Sequence, residues 1–249
     1  MKKLLSFLRK TRAFYKNEAA WNRKYAVYKK QLNDFREQVG PGMEISEYAC
    51  LADNTGITPL EPHYTYHPAW AARIVAQIKP AKHIDISSTT NFGTITSAFV
   101  PFEFYDYRPA NIHLSNYTSG RADLTNLHFE TNSIESLSCM HTVEHIGLGR
   151  YGDPIDINGD VKAMKELERV IKINGNLLFV VPIGNPRIEF NAHRVYAYDT
   201  IIKNFSGLVL KEFSLIPDDF ENTGYITNPP MELINKQHWG CGCFWFTKL

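Results

Sequence analysis

The segment His141-Thr142-Val143-Glu144-His145 puts two imidazoles and a carboxylate in one short stretch, and His193-Arg194 follows farther along. Imidazole changes charge near neutral pH, so a histidine in a cleft can accept the proton of an attacking hydroxyl. His141 is the first candidate for that base and His193 the second. Glu144 is the third catalytic candidate, although Glu144-His145 also reads as a hydrogen-bonding pair that supports its loop. H-x-x-E-H matches the pattern of inverted zinc proteases. That chemistry needs both histidines on one helical face, whereas here the pattern straddles the end of an apolar stretch. Cys241-Gly-Cys243 lacks a second thiol pair or a nearby histidine pair, so it makes a poor zinc site. Asp153, Asp156 and Glu144 offer Mg²⁺ hard oxygen donors as an alternative. No resident metal is assigned.

A second set of residues is acidic. Asp85 lies in HIDIS (83–87), Asp106 in PFEFYDYRP (101–109), and Asp123 precedes Leu124 in ADLTNL. Asp106 stands 21 residues after Asp85. An acid about 20 residues on suits a ribose diol, because one carboxylate accepts from both hydroxyls. Taken singly, Asp106 and Asp123 read as turn formers.

These residues need strands to bring them together. Pro68 is expected to open a helix, AWAARIVAQI, that Pro80 ends. HIDIS, PFEFYDYRP and IESLSCM (134–140) read as buried strands, with residues 94–99 helical between the first two. GLGRYGDPIDINGD (147–160) is a polar loop, and Asp160 is the expected N-cap of the amphipathic helix VKAMKELERVIK. An Asn-Gly turn leads to NLLFVVP (176–182), the apolar central strand. A helix at 200–207 and late strands LVLKEFSLI and GCFWFTKL complete the pattern. Strands alternating with helices predict a parallel α/β sheet. Open sheets of that kind bind ligands at the carboxyl ends of their strands.

The chain has 249 residues and a net charge of +1. Residues 1–37 hold eleven Lys/Arg against Glu18, Asp34 and Glu37, a net of +8, which leaves −7 elsewhere. That segment contains no Gly or Pro before Gly40-Pro41-Gly42, so it predicts a helix. Its charge and its aromatics suit a peripheral anionic membrane surface, with self-association as the rival. No basic groove recurs later, so no nucleic acid partner is expected. Residues 1–45 are therefore read as a basic helical extension and 46–249 as the α/β domain. No apolar run is long enough to span a bilayer, and no leader is expected. Four cysteines in a chain of this length suit a reduced, cytoplasmic protein, peripheral to the inner face of the membrane if the helix docks there.

The order D-L-T-N-L, S-I-E-S-L-S-C-M-H-T-V-E-H, then E-L-E-R-V with G-N-L-L-F-V-V-P, resembles the second half of a class I S-adenosylmethionine-dependent methyltransferase. HYTYHPAWAARIV, HIDISSTTNFG, FYDYRP, EHIGLGRYGDP and the late GCGCFWF narrow the resemblance to a bacterial family, domain of unknown function 268, over roughly residues 50–249. The resemblance implies a Rossmann-like sheet, mostly parallel with an antiparallel edge, and S-adenosylmethionine as cofactor. It implies cofactor contacts at Asp85, Ser87, Gly93, Asp106, Asp123, Leu124 and Tyr64, with adenine at Asp123-Leu124 and Tyr64 over the methionine end. Arg150, Tyr151, Asp153 and Arg194 become the expected substrate contacts. The setting it implies is a glycan or sugar-nucleotide substrate, hence O-methylation of a polysaccharide sugar or its precursor. An inactive, methyltransferase-like partner in glycan synthesis is the alternative. One departure stands out: the glycine-rich loop usual after the first strand reads Ser87-Ser88-Thr89-Thr90-Asn91 here, and Gly93 comes late.

Overall fold

Side chains along NLLFVVPI alternate between two cores. Leu177, Phe179, Val181 and Ile183 pack on one face of the sheet, and Leu178 and Val180 on the other. Both sets are fully buried, as a central strand covered on both faces requires. The computed structural model describes residues 2–249, with side chains from Glu18 onward. It divides into two compact units, residues 1–60 and 61–249.

In the first unit, α1 (Lys2–Val39) runs unbroken to the 3₁₀ turn Gly40–Gly42. The segment after it stays with the helix. Glu47 pairs with Lys29 and Arg36, each at 3.1 Å, and Cys50, Leu51 and Asn54 share a hollow with Arg23, Val27 and Tyr28. The first compact unit runs on to residue 60. All the basic side chains of residues 1–16 lie outside the described ones. Among the described residues, no helix is long and apolar enough to cross a membrane.

The second unit runs α2 (Pro62–Ile78), β1 (His83–Ile86), α3 (Thr90–Thr96), β2 (Phe102–Asp106), β3 (Tyr117–Arg121) and β4 (Ile134–Met140). It continues with α4 (Gly159–Val170), β5 (Ile171–Ile183), β6 (Arg187–Glu189), β7 (His193–Val195) and α5 (Tyr198–Asn204). Then come β8 (Val209–Ile216), α6 (Phe220–Thr223), β9 (Ile226–Thr227), α7 (Met231–Asn235) and β10 (Gly240–Thr247). The main sheet has the order β3-β2-β1-β4-β5-β10-β8-β9. Strands β1 to β5 pair in parallel, and β10, β8 and β9 form the expected antiparallel edge. The strand order reverses between β1 and β4, which fixes the switch point where a ligand crevice opens. β6 and β7 form a separate hairpin.

Several local expectations change. α2 begins well before Pro68, because Glu61 caps it by accepting from the Tyr64 amide and Pro62 occupies its first turn. Pro68 lies inside the helix. Asp160 is not an N-cap. It points inward, accepts from the Tyr196 hydroxyl at 2.9 Å and sits 3.5 Å from Arg194. α4 runs directly into β5, and Asn174, with φ +61, forms an irregularity within that strand instead of a separate turn.

Candidate functional site

Two adjoining hollows lie over the carboxyl ends of β1 to β4. One, of about 220 Å³, is lined by Ser87, Asp123, Leu124, Ile146 and Asp153 among others. The other, of about 150 Å³, is lined by Asp106, Arg108, His141, Thr142 and His145. Ser87, Tyr107, Ile146 and Tyr151 border both. Together they approach the size of small-molecule sites, about 300–1,000 Å³.

The expected cofactor residues divide into two groups. Ser87, Asp106, Asp123 and Leu124 line the hollows; Asp85, Gly93 and Tyr64 do not. Asp106 Oδ1 accepts from the Arg108 amide at 2.6 Å. Asp123 Oδ1 accepts from the Thr125 amide at 2.8 Å. Each acid thus forms a local turn and keeps a second oxygen for a ligand. Ser87 adopts φ +59, a left-handed conformation that glycine reaches without strain. The turn therefore keeps the shape of a glycine loop without the glycine. His141, across the switch point, has φ +54. Uncommon backbone conformations at both strand ends mark this as the strained part of the sheet.

Asp85 is fully buried: one oxygen accepts from the Ser88 amide and the other from the Ser138 hydroxyl. Burial pushes its pKa up to about 7. It supports the loop from below and reaches no hollow. Gly93 serves packing, since a Cβ there would lie 2.7 Å from the Phe102 ring and 3.0 Å from that of Tyr117. Tyr64 stacks on His141 at 5.3 Å instead of lining the crevice.

At the end of β4, both His141 nitrogens are engaged. Nδ1 lies 2.8 Å from Glu144 Oε1, and Nε2 lies 3.4 Å from Cys241 Sγ. His63, Tyr64 and His67 crowd the same ring, with centroids 5.0–5.3 Å away. The judgement that Cys241 lacks nearby histidines is therefore corrected, because α2 and the end of β4 supply them. Burial, with His141 as the next cause, holds His63 down to about 3 and His67 well below its usual value. His193 is not in the lining of either hollow. It stacks on Trp239 at 5.7 Å and lies 3.5 Å from Glu189.

His145 is the residue the sequence reading passed over. Its Nδ1 lies 2.6 Å from the Ala192 carbonyl and so donates to it, leaving a lone pair on Nε2. It lines the smaller hollow, and its Nε2 lies 3.9 Å from Glu144 Oε1. Burial, only partly opposed by Glu144, lowers its pKa, so it is unprotonated and able to accept at neutral pH. The H-x-x-E-H pattern was its signal, but only the Ala192 carbonyl, 47 positions away, decides which nitrogen is free.

The expected substrate residues also separate. Tyr151 and Asp153 line the crevice. Arg150 reaches the Ala192 carbonyl at 3.0 Å and lies over the Tyr151 ring, as does Arg108. Asp153 accepts from the amides of Gly147, Gly149 and Tyr151. Burial alone would raise its pKa, but these amides outweigh burial and lower it. Arg194 is a correction: it is buried, donates to the Ile146 carbonyl at 2.7 Å and to those of Glu144 and Ile157, and cannot meet a substrate. The three acids suggested for Mg²⁺ do not form a ligand group among the described residues; His63, His141 and Cys241 do. Asp153 and Asp156 already hold backbone amides, and Asp156 also holds Lys162 at 2.7 Å.

A family model described as "Caenorhabditis protein of unknown function, DUF268" matches residues 117–214. Its description names Caenorhabditis, so the bacterial attribution is not supported. No curated protein matches the chain. Among solved structures, the chain is similar to the N-methyltransferase NodS from Bradyrhizobium japonicum WM9, in complex with S-adenosyl-L-homocysteine. The TM-score is 0.53 at 12% identity, covering 75% of this chain and 88% of that one. It is also similar to geranyl diphosphate methyltransferase in complex with S-adenosylmethionine, with a TM-score of 0.50 at 9% identity, covering 73% and 85%. Identities this low speak to fold alone. With the strand order and the antiparallel edge, they establish residues 61–249 as a Rossmann-like α/β unit of the class I methyltransferase type.

Proposed function

We propose that the chain is an S-adenosylmethionine-dependent O-methyltransferase acting on a sugar hydroxyl of a glycan or its precursor. The observation that carries this reading is the pair of adjoining hollows at the switch point, where Ser87, Asp106, Asp123 and Leu124 converge with His145. The donor set fits the cofactor. Asp106 has an oxygen for ribose hydroxyls, and Asp123 with the Leu124 amide offers an acceptor and a donor for adenine. Ile146, Tyr107 and Tyr151 supply apolar walls. When bound, the cofactor supplies a sulfonium methyl group for in-line transfer. The chain's own work is to align the acceptor hydroxyl and take its proton. We assign that role to His145 in preference to His141 and His193, because its free nitrogen belongs to a residue lining the crevice. The sugar acceptor rests on the resemblance of the EHIGLGRYGDP stretch to a family met in polysaccharide synthesis.

Calorimetry of the full chain with S-adenosylmethionine and S-adenosylhomocysteine tests the reading. One binding event per chain for both is expected, and no heat with either would overturn it. A second reading, a methyltransferase-like assembly partner without transfer, is favoured by one observation. Ser88 and Thr89 of the loop are already committed, to the Met140 amide and to the cap of α3. It predicts no turnover on any glycan acceptor even where the cofactor binds. We further propose that the basic residues of 1–37 dock the protein on an anionic membrane. Exposed charges are screened over about 8 Å at physiological ionic strength. Cosedimentation with anionic vesicles should therefore fall as salt rises, whereas a dimer contact would persist.

A further inference from the structure

His63 on α2, His141 at the end of β4 and Cys241 on β10 are all buried, and one potential ligand atom from each lies within 4.8 Å of the others. The surrounding hydrogen bonds orient them. His141 Nδ1 is held by Glu144 at 2.8 Å, so Nε2 carries the lone pair and faces Cys241 Sγ at 3.4 Å. A carboxylate behind the imidazole is the usual arrangement that fixes a metal-binding histidine. Tetrahedral zinc, with bonds of about 2.05 Å to nitrogen and 2.3 Å to sulfur, would place those atoms about 3.6 Å apart. The His141–Cys241 spacing is therefore within a few tenths of an ångström of that required, and His63 would close on the ion from within 4.8 Å of both.

A second observation points the same way. His67, next to the cluster, is fully buried; its Nδ1 donates to the His63 carbonyl at 2.6 Å and its Nε2 has no partner. Glu144 Oε2 is likewise buried without a partner. Unpaired acceptors in a dry interior are costly, and a cation beside them offsets that cost.

We propose that His63, His141 and Cys241 form a zinc site with three protein ligands and a fourth position for water or another donor. Two imidazoles and a thiolate suit Zn²⁺, while Mg²⁺ and Ca²⁺ require oxygen ligands. Binding replaces the Cys241 thiol proton, which is released to solvent, with a zinc–sulfur bond. Cys243 Sγ lies 3.9 Å from Cys241 Sγ but falls outside the three-residue group. The ion would tie together three elements that are distant in sequence, so occupancy should raise thermal stability.

The test uses the full chain without a histidine tag. It is loaded with Zn²⁺, dialysed and assayed for metal content, and a Co²⁺ derivative is examined by absorption. About one zinc per chain is expected, with a raised melting midpoint and a near-ultraviolet thiolate-to-cobalt charge-transfer band. Cys241→Ser should abolish the band and His63→Ala should cut occupancy at least tenfold, whereas Cys50→Ser, at an exposed cysteine, should change neither. Loss of zinc on dialysis, a cobalt spectrum without the sulfur band, or full occupancy in Cys241→Ser would overturn the site. Should the variants not fold, the cobalt spectrum of the unaltered chain decides alone. None of these readouts involves methyl transfer, so the site stands or falls apart from the cofactor reading.

Discussion

Along the crevice, Asp106 and Asp123 line the hollows from local turns, each accepting from an amide two positions on. In the cluster behind β4, His63, His141 and Cys241 come from three separate elements and are packed ring against ring out of water. The crevice groups can change without disturbing the sheet, because each turn is self-contained. The cluster groups cannot, because each one positions another. A binding surface and a buried polar knot have been built on neighbouring strand ends by opposite means, and the difference can be tested.

The largest effect is expected where the two regions meet. His145→Ala should lower turnover on the acceptor by about 10²–10⁴-fold, the usual contribution of a positioned base, with cofactor affinity little changed. Single-turnover methyl transfer measures this; a rate near that of the unaltered chain would move the base elsewhere.

Next is the pH dependence beneath the crevice. On β1, burial raises Asp85 to about 7 and lowers His83 to about 3. Their linkage signs oppose. The neutral Asp85 carboxyl contributes stability that is full below its unfolded pKa, about 4, and is lost as pH rises to about 7. Neutral His83 contributes stability that is present above about 6.5 and is lost as pH falls toward 3. Asp85→Asn keeps the neutral shape at every pH: its carbonyl can accept from Ser88 and its amide can donate to Ser138. Relative to the unaltered chain it should gain up to about 4 kcal/mol between pH 4 and pH 7. Urea unfolding at both pH values checks this, and a pH-independent difference would mean that Asp85 titrates normally.

Smaller effects belong to the crevice surface. Asp106→Ala should weaken S-adenosylhomocysteine by about 1.5–3 kcal/mol, roughly 10- to 150-fold, through lost bonds to a charged acceptor. Unchanged affinity in a folded variant would remove Asp106 from the site. Ser87→Gly relieves a left-handed serine, worth about 1–2 kcal/mol, but adds unfolded-state entropy of about 0.4–1 kcal/mol. A net gain of between about 0 and 1.6 kcal/mol in denaturant is expected; a loss would give the Ser87 hydroxyl a structural role.

The parts that could be read from the chain were those written locally. β1, β2, β4, β5, β8 and β10 announced themselves through buried apolar runs, and Asp106, Asp123 and Leu124 through their place after strands. β3 did not, since it is an edge strand with Gly120 in it and only Tyr117 buried. The start of α2 was obscured by Pro68, which looked like a first-turn proline when Pro62 was the one in that place. Arg194 suggested a substrate contact and Asp160 an N-cap because the partners that bury them, the carbonyls of 144–157 and the Tyr196 hydroxyl, are distant in sequence. The histidine–cysteine cluster could not be read at all: His63 and Cys241 meet only after the sheet has closed.

The buried Arg194 guanidinium has a further consequence. It sits on β7 and ties down three carbonyls of the connection between β4 and α4, together with Asp160. Peeling the β6–β7 hairpin away would release all of these partners at once and leave a charge uncovered. These partners are lost together, so the hairpin and the connection it pins are expected to open as one cooperative unit instead of fraying residue by residue.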